Sequence, residues 1–214
     1  MLKRIKNLFN FKYKQEKTLS IYDAIDNLYD TLNSETIVIN VGEDLTPYIC
    51  YIQEIIKLIR NEIKEECGFI LSPVKIIENN WIQENEFIIF IKNKKTENGY
   101  LIPNKDGIRE EFYDIFKSNI YNSLDLLFTI EITEKYIDTV QKKNNRLIWN
   151  LTNSLSIIEF RTILVDILKK GKSINNINFI FEQIGEHVLT DGKFKDILSK
   201  HNPHIIAEQI SKVL

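Results

Sequence analysis

The sequence is short of several features, and each shortage argues against a class of protein. No apolar run approaches the roughly 18 residues that a membrane-spanning helix needs. The apolar residues near the N-terminus are interrupted by Lys and Asn, unlike those of a secretory signal peptide. The 28 basic and 30 acidic residues leave a net charge of only −2, so no strong overall field draws the chain to nucleic acid. With 43% hydrophobic and 27% charged residues, the composition predicts a globular protein of the cytoplasm.

Cysteine is also scarce, and the two residues present are placed where they cannot pair. Cys50 and Cys67 lie at opposite ends of a stretch with helical periodicity. A continuous helix rises about 1.5 Å per residue, which separates the two by roughly 25 Å. A disulfide needs Cα atoms within about 7 Å. Two unpaired thiols predict a reducing compartment.

The first 17 residues form a basic segment that differs from the rest of the chain. Six basic residues oppose one glutamate, a local charge of +5 that leaves −7 on the remaining 197 residues. A basic amphipathic helix of this kind lies on anionic membrane surfaces, so we expect a peripheral membrane contact. The predicted contact residues are Lys3, Arg4, Lys6, Leu8 and Phe9. The alternative is a solvated leader or linker that packs on a neighbouring surface.

Hydrophobic periodicity predicts a first half that mixes helices with strands and a second half that is almost entirely helical. The predicted helices are 18–33, 47–67, 106–120, 131–148, 156–169, 174–188, 193–200 and 203–213. The predicted strands are 36–41, 73–78, 86–92, 96–102 and 124–129. This order predicts the α+β class, a small mixed sheet with flanking helices followed by an all-helical subdomain. We expect a basic leader at 1–17, an α+β subdomain at 18–130 and a helical subdomain at 131–214.

Glycine and proline supply the local signals for turns and helix ends. Gly68 is placed to end the second helix in a left-handed conformation, with Phe69 buried directly after it. Pro47 suits the first position of that helix. Asn98-Gly99 supplies the chemistry of a turn among the predicted strands.

The residues that could carry chemistry do not form a recognisable catalytic pattern. The segment 169–173 resembles the end of a phosphate-binding loop, but it lacks the earlier glycine and follows a helix instead of a strand. His201 and His204 lie three residues apart, with His187 and Asp191 upstream, whereas a zinc site needs three or four converging ligands. We therefore expect no catalytic, cofactor-binding or metal-binding residues, and hence no enzyme and no cofactor.

Aromatic residues on the predicted strands raise the alternative of an RNA-binding sheet. Phe87, Phe90 and Tyr100 would stack on bases if they shared one exposed face. The body of the chain is acidic, however, and phosphate binding depends on Lys and Arg. Alternating aromatic residues on strands usually belong to the core. We expect no nucleic-acid partner.

Four segments in the first half of the chain occur in the order and spacing of a known family. Residues 37–49 resemble a family stretch of strand, glycine and "LIPLV", and residues 55–60 resemble a helical "LLDRIRALR" region. Residues 66–74 resemble "ELGFVVPPV", and residues 78–87 follow its pattern of Asp-Asn, Leu and Glu-Tyr. The family is FHIPEP, the export-gate proteins of flagellar and virulence type III secretion.

A second stretch is similar to the same family. Residues 160–174 resemble its "VLQNLLREGVSIRD" helix, turn and helix, and residues 178–185 resemble the following "TILEALAD". The membrane half that names the family has no counterpart in these 214 residues. The resemblance also implies that the family's inserted second subdomain is missing or reduced to Asp106–Ile120. We expect a truncated form with about two of the family's four soluble subdomains.

The resemblance implies a protein-binding and assembly module of protein secretion that is not an enzyme, because the family's soluble part forms a ring and receives proteins. The implied partners are export substrates, chaperones or export-apparatus subunits. The helices at 156–186 imply a weak homo-oligomer, and the implied location is the cytoplasm beside a membrane. The alternative is a membrane-proximal scaffold or regulator unrelated to secretion, tethered by its basic N-terminus.

Overall fold

The structure is a computed structural model that describes residues 20–32, 36–189 and 202–214. The basic segment 1–17, with the predicted membrane contacts, lies outside the described residues. The predicted helix at 193–200 and two candidate metal ligands, Asp191 and His201, also lie outside them.

The described residues form a mixture of helices and strands. The α-helices are α1 (Ile21–Leu32), α2 (Ile49–Cys67), α3 (Lys105–Asn122), α4 (Leu124–Leu127), α5 (Ile130–Gln141), α6 (Asn145–Thr152), α7 (Ile157–Lys169), α8 (Ile177–Leu189) and α9 (Pro203–Ser211). The strands are β1 (Ile37–Val41), β2 (Val74–Glu78), β3 (Glu86–Ile91) and β4 (Lys94–Tyr100). A 3₁₀ helix (Glu43–Tyr48) joins β1 to α2. The strands, the 3₁₀ helix, α2 and α3 are called the sheet part below, and α5 to α9 the helical part.

The four strands form one mixed sheet in the order β2-β1-β3-β4, which confirms the predicted α+β class. β1 runs parallel to β2, and β3 is antiparallel to both β1 and β4. Alternate residues of β1 and β3 are buried on the face that α3 covers, where Phe87 meets Phe112 with ring centroids 5.5 Å apart. The helix that contains Asp106–Ile120 therefore packs on the sheet.

Helix α2 ends as predicted but begins differently. Gly68 has φ 73° and ψ 9°, and its N–H donates to the Lys64 carbonyl at 2.9 Å. Phe69 is buried directly after it, so the predicted left-handed end is confirmed. Pro47 instead lies inside the 3₁₀ helix, and α2 begins at Ile49. Tighter 3₁₀ turns are common at helix N-termini, where proline's missing N–H costs nothing.

The turn between β3 and β4 is not formed by Asn98-Gly99. Lys92 and Asn93 form it, with φ of 49° and 63°, and Asn98 and Gly99 lie inside β4. Gly99 is explained by packing, because a Cβ there would lie 2.9 Å from the Phe87 ring.

Two predicted elements after α3 are wrong. Residues 124–129 do not form a strand, because the Phe128 N–H donates to the Leu124 carbonyl at 2.8 Å and closes the turn of α4. A short apolar run is compatible with either a buried strand or a buried helix. The predicted helix 131–148 is two helices, since the Asn144 side chain caps α6 by accepting the Leu147 N–H at 3.1 Å.

A shared core and hydrogen bonds join the helical part to the sheet part. The buried apolar residues of both parts form one continuous cluster. The buried Tyr136 hydroxyl donates to the Gly68 carbonyl at 2.6 Å, and the Ile174 N–H donates to the Cys67 carbonyl at 2.8 Å. The Asn175 side chain donates to the Glu65 carbonyl at 2.9 Å. These contacts fix the sheet against α5 and the loop after α7.

Candidate protein-interaction surfaces

The candidate metal and phosphate residues do not come together in the described part of the chain. The structure contains no group of three or more His, Cys, Asp or Glu side chains there that could hold a metal ion. His204 pairs with Asp166, with 2.5 Å between Nδ1 and Oδ2. Residues 169–173 end helix α7 and turn at Gly171. Within the same ranges, no helix is long and apolar enough to span a bilayer.

The three aromatic residues of the RNA-binding alternative do not share one face. Phe87 is fully buried on the core face of the sheet. Phe90, three positions along β3, lies on the opposite face, where it pairs with Val38 of β1. Tyr100 is exposed at the end of β4. This arrangement does not form an aromatic stacking platform.

A groove lies where the β3–β4 turn meets the first turns of α5 and α7, and we call it the junction groove. Its volume is about 390 Å³. Two isoleucine side chains are open to solvent here, Ile130 at 40% exposure and Ile158 at 58%. The residues that line the groove are Lys92, Thr129, Ile130, Glu131, Ile158 and Arg161. Exposed apolar side chains in a concave site favour a protein or ligand with an apolar group.

The charged side chains at the junction groove include two cations. The Arg161 guanidinium donates from Nε to the Phe128 carbonyl at 2.5 Å and from Nη2 to the Asp125 carbonyl. Both bonds hold the guanidinium at the groove without neutralising it. Lys92 is exposed on the β3–β4 turn. The first turns of two helices lie beside these cations, and helix N-termini add a partial positive charge.

Glu131 is the acidic residue of the groove, and its pKa is lowered. Hydrogen bonds from its own backbone N–H and from Thr129 contribute most to the shift, and the nearby Lys92 ammonium adds to it. Glu131 therefore stays ionised and partly offsets the two cations. The groove still has a net positive charge and suits an acidic partner.

A second surface lies at the opposite end of the sheet, and we call it the acidic loop. It comprises Glu43 and Asp44 of the 3₁₀ helix together with Trp81 and Glu84 of the β2–β3 loop. The three carboxylates border a cleft of about 670 Å³. The Asp44 N–H donates to the Glu84 carbonyl at 2.9 Å, which ties the two chain segments together.

Close backbone packing and an exposed tryptophan distinguish the acidic loop. A Cβ on Gly42 would lie 2.1 Å from the Gln83 carbonyl oxygen, so only glycine permits this approach. The Trp81 side chain is 97% exposed. The backbone N–H of Trp81 donates to the Asn79 side-chain oxygen at 2.9 Å. A tryptophan held in solvent on a tight turn is typical of a protein-binding anchor.

Sequence reasoning missed both surfaces. The junction groove is formed by residues from three separate segments of the chain, and no local sequence pattern predicts that these segments lie together. A signal for the acidic loop was present, since Trp81 follows two asparagines in a loop and has no place in a periodic apolar pattern.

Comparisons with known proteins identify the fold. No family model matches the sequence, and no curated protein is significantly similar to it. The MxiA protein of Shigella flexneri matches 83% of this chain and 65% of its own, at TM-score 0.60 and 15% identity. The CdsV protein of Chlamydia pneumoniae matches 82% and 64%, at TM-score 0.65 and 11% identity. The nonameric SctV-C of EPEC matches 84% and 67%, at TM-score 0.63 and 15% identity.

The match is one of fold and covers only part of those structures. They are cytoplasmic domains of FHIPEP proteins, so the fold implied by the sequence resemblance is confirmed. This chain spans about two thirds of their length. One CdsV structure is a complex with CdsO, and the EscV cytosolic domain, from a type III secretion system, is nonameric.

Proposed function

We propose that this chain, whose fold is that of the FHIPEP export-gate cytoplasmic domains, is a protein-binding and assembly module of a type III protein-export apparatus. The observation that carries the proposal is the similarity of fold over more than four fifths of the chain. Its surfaces are also of the kind that bind proteins, since exposed Trp and Ile side chains lie beside charged groups. The proposed module works by binding, without catalysis.

The proposed partners are export substrates, chaperones or other export-apparatus subunits. The CdsV complex with CdsO supports a protein partner by analogy. The nonameric relatives support self-association. We propose a weak homo-oligomer that uses the helices at 156–186, where the exposed Ile158 side chain lines the junction groove.

The basic segment supplies a further proposed contact, with a membrane. Lys3, Arg4, Lys6, Leu8 and Phe9 would hold the module, with its proposed units 18–130 and 131–214, beside an anionic bilayer. Co-sedimentation with anionic vesicles tests this contact. Binding at low salt should be lost when Lys3, Arg4 and Lys6 are replaced by Glu, and intact protein that stays in the supernatant would contradict it.

The function is tested by purifying the tagged chain from its host and identifying co-purifying proteins by mass. Recovery of export-apparatus subunits, their substrates or chaperones, absent from the tag-only control, is the expected result. Recovery of membrane-surface proteins without any secretion component would favour the alternative, a membrane-proximal scaffold unrelated to secretion. In cell fractionation, we expect the chain in the cytoplasmic fraction, either free or attached to the membrane surface.

A further inference from the structure

The sheet part has opposite charges at its two ends. The end formed by the 3₁₀ helix and the β2–β3 loop exposes Glu43, Asp44 and Glu84. The other end, at the β3–β4 turn, exposes Lys92 and Lys94. Strand β3 runs from one end to the other, so Glu84 and Lys92 lie roughly 25 Å apart at about 3.3 Å per residue.

The two surfaces at these ends are complementary in chemistry. At the acidic loop, the Trp81 side chain is almost entirely in solvent and lies beside three carboxylates. The junction groove is concave, and its exposed Ile130 and Ile158 offer an apolar site between Lys92 and Arg161. A volume of about 390 Å³ is within the usual range of sites that enclose small groups.

The carboxylates of the acidic loop have no cationic partner within the described residues. No ion pair joins Glu43, Asp44 or Glu84 to a basic side chain there, and the cleft beside them is lined otherwise by Asn, Gln and Ile. Three like charges beside an exposed tryptophan are therefore available to a positively charged apolar site.

We propose that copies of this chain associate head to tail, with the acidic loop of one copy seated in the junction groove of the next. Trp81 enters between Ile130 and Ile158, and the three carboxylates face Lys92, Lys94 and Arg161. This inference rests on the proposed function in one respect, namely that the module self-associates. It adds which two surfaces make the contact and that they differ from each other.

The placement of the two surfaces fixes the type of assembly. They lie at opposite ends of one rigid sheet, so a single copy cannot satisfy both by folding back on itself. Contact between two different surfaces is heterologous, and repetition of such a contact produces a ring or an open chain. Both surfaces are small, and the attraction is partly between charges, so the association should be weak and should weaken further as salt screens it.

Sedimentation velocity of the full chain tests the pairing with one variant at each surface. Trp81→Ala removes the anchor, and the pair Lys92→Glu with Lys94→Glu reverses the groove's charge. Each variant alone should self-associate at least about tenfold more weakly than the unaltered chain, because a buried tryptophan or a buried charge contact is a typical interface hot spot. Trp149→Ala is the matched control, since Trp149 is exposed on α6, a helix that contributes no residue to either surface, and it should associate normally.

Mixing the two variants gives the decisive result. The Trp81→Ala copy retains a groove and the charge-reversed copy retains an acidic loop, so the mixture should form a one-to-one heterodimer that grows no further. An unaltered chain that stays monomeric at its highest soluble concentration would overturn the inference, as would variants that associate normally or a mixture without heterodimer. Partner recovery by co-purification is a separate readout, so these failures leave the proposed function standing, and loss of partners leaves the pairing standing.

Discussion

The left-handed glycine that ends α2 in the sheet part lies against neighbouring backbone, whereas the one after α7 in the helical part lies in free space. A Cβ on Gly68 would lie 2.8 Å from the Asn175 backbone nitrogen. A Cβ on Gly171, at nearly the same φ, would meet nothing within 4 Å. Stacked rings occur in both parts. The sheet part therefore depends on backbone positions that only glycine can occupy, as Gly42 also shows at the acidic loop.

Removal of one core ring from each part is the strongest test of this comparison. Phe112→Ala in the sheet part and Phe160→Ala in the helical part should each lower the free energy of unfolding by about 3–5 kcal/mol, because both side chains are fully buried. The continuous core predicts that both variants still unfold in one transition. Hydrogen exchange followed by mass spectrometry checks this. Loss of protection confined to the mutated part would show that the two parts unfold separately.

The two left-handed glycines give the next largest effect. Gly171→Val should cost about 1–2 kcal/mol from its positive φ alone. Gly68→Val should cost more, about 3 kcal/mol, because it adds a collision with the Asn175 backbone. Urea denaturation measures both variants. Equal losses of unfolding free energy would mean that Asn175 moves aside, and that both parts accept a side chain at their left-handed glycine equally well.

The hydrogen bond between the parts should contribute less than either turn. Tyr136→Phe removes the donor to the Gly68 carbonyl and leaves that buried oxygen unpaired, so we expect a loss of about 1–2 kcal/mol. Tyr100→Phe, at an exposed hydroxyl, is the control and should change the urea midpoint little. A Tyr136→Phe variant as stable as its control would show that the apolar core alone joins the parts.

Protonation of Glu62 at low pH should have the smallest effect on the free energy of unfolding of the sheet part. The hydrogen bond from the Tyr113 hydroxyl contributes most to lowering the pKa of Glu62, and Lys117 lowers it further. A carboxylate with a lowered folded pKa stabilises the protein above its unfolded pKa, and that stability is lost as pH falls through the folded pKa. We expect Glu62→Gln to lose about 0.5 kcal/mol at neutral pH and to flatten the acid side of the stability profile. Glu54→Gln, on the exposed face of the same helix, is the control, and an equally flattened profile there would contradict the assignment.

The regular elements could be predicted from sequence because their signals are local. Helix α2 has isoleucines at helical spacing and a glycine at its end, and β1 is a short β-branched run. The failures came where tertiary contacts decide between local alternatives. The sequence predicts Gly99 as a turn residue, but it lies in a strand, where the Phe87 ring packs too closely for a side chain at that position. The apolar run at 124–129 is short enough for either element, and two of its carbonyls accept hydrogen bonds from Arg161, 33 or more residues away.

The candidate surfaces were less predictable than the fold. The junction groove depends on three segments that lie together in the fold. The sequence spacing of Lys92, Ile130 and Ile158 does not predict that their side chains are close in space. The acidic loop depends on Gly42 allowing one backbone to approach another. The family resemblance supplied the fold class and its general kind of function, and the positions of the binding residues came only from the structure.

The position of α1 has a consequence for how the chain folds during synthesis. Although α1 precedes the sheet in sequence, it packs against α5, and its Tyr22 hydroxyl donates to the Asn175 side chain at 2.9 Å across 153 residues. Contacts between such distant residues close large loops, which slows folding. The strands and α2 can pair as soon as they leave the ribosome. Helix α1 must wait for the helical part to emerge, so a helix that is synthesised before the sheet is among the last elements to reach its final place.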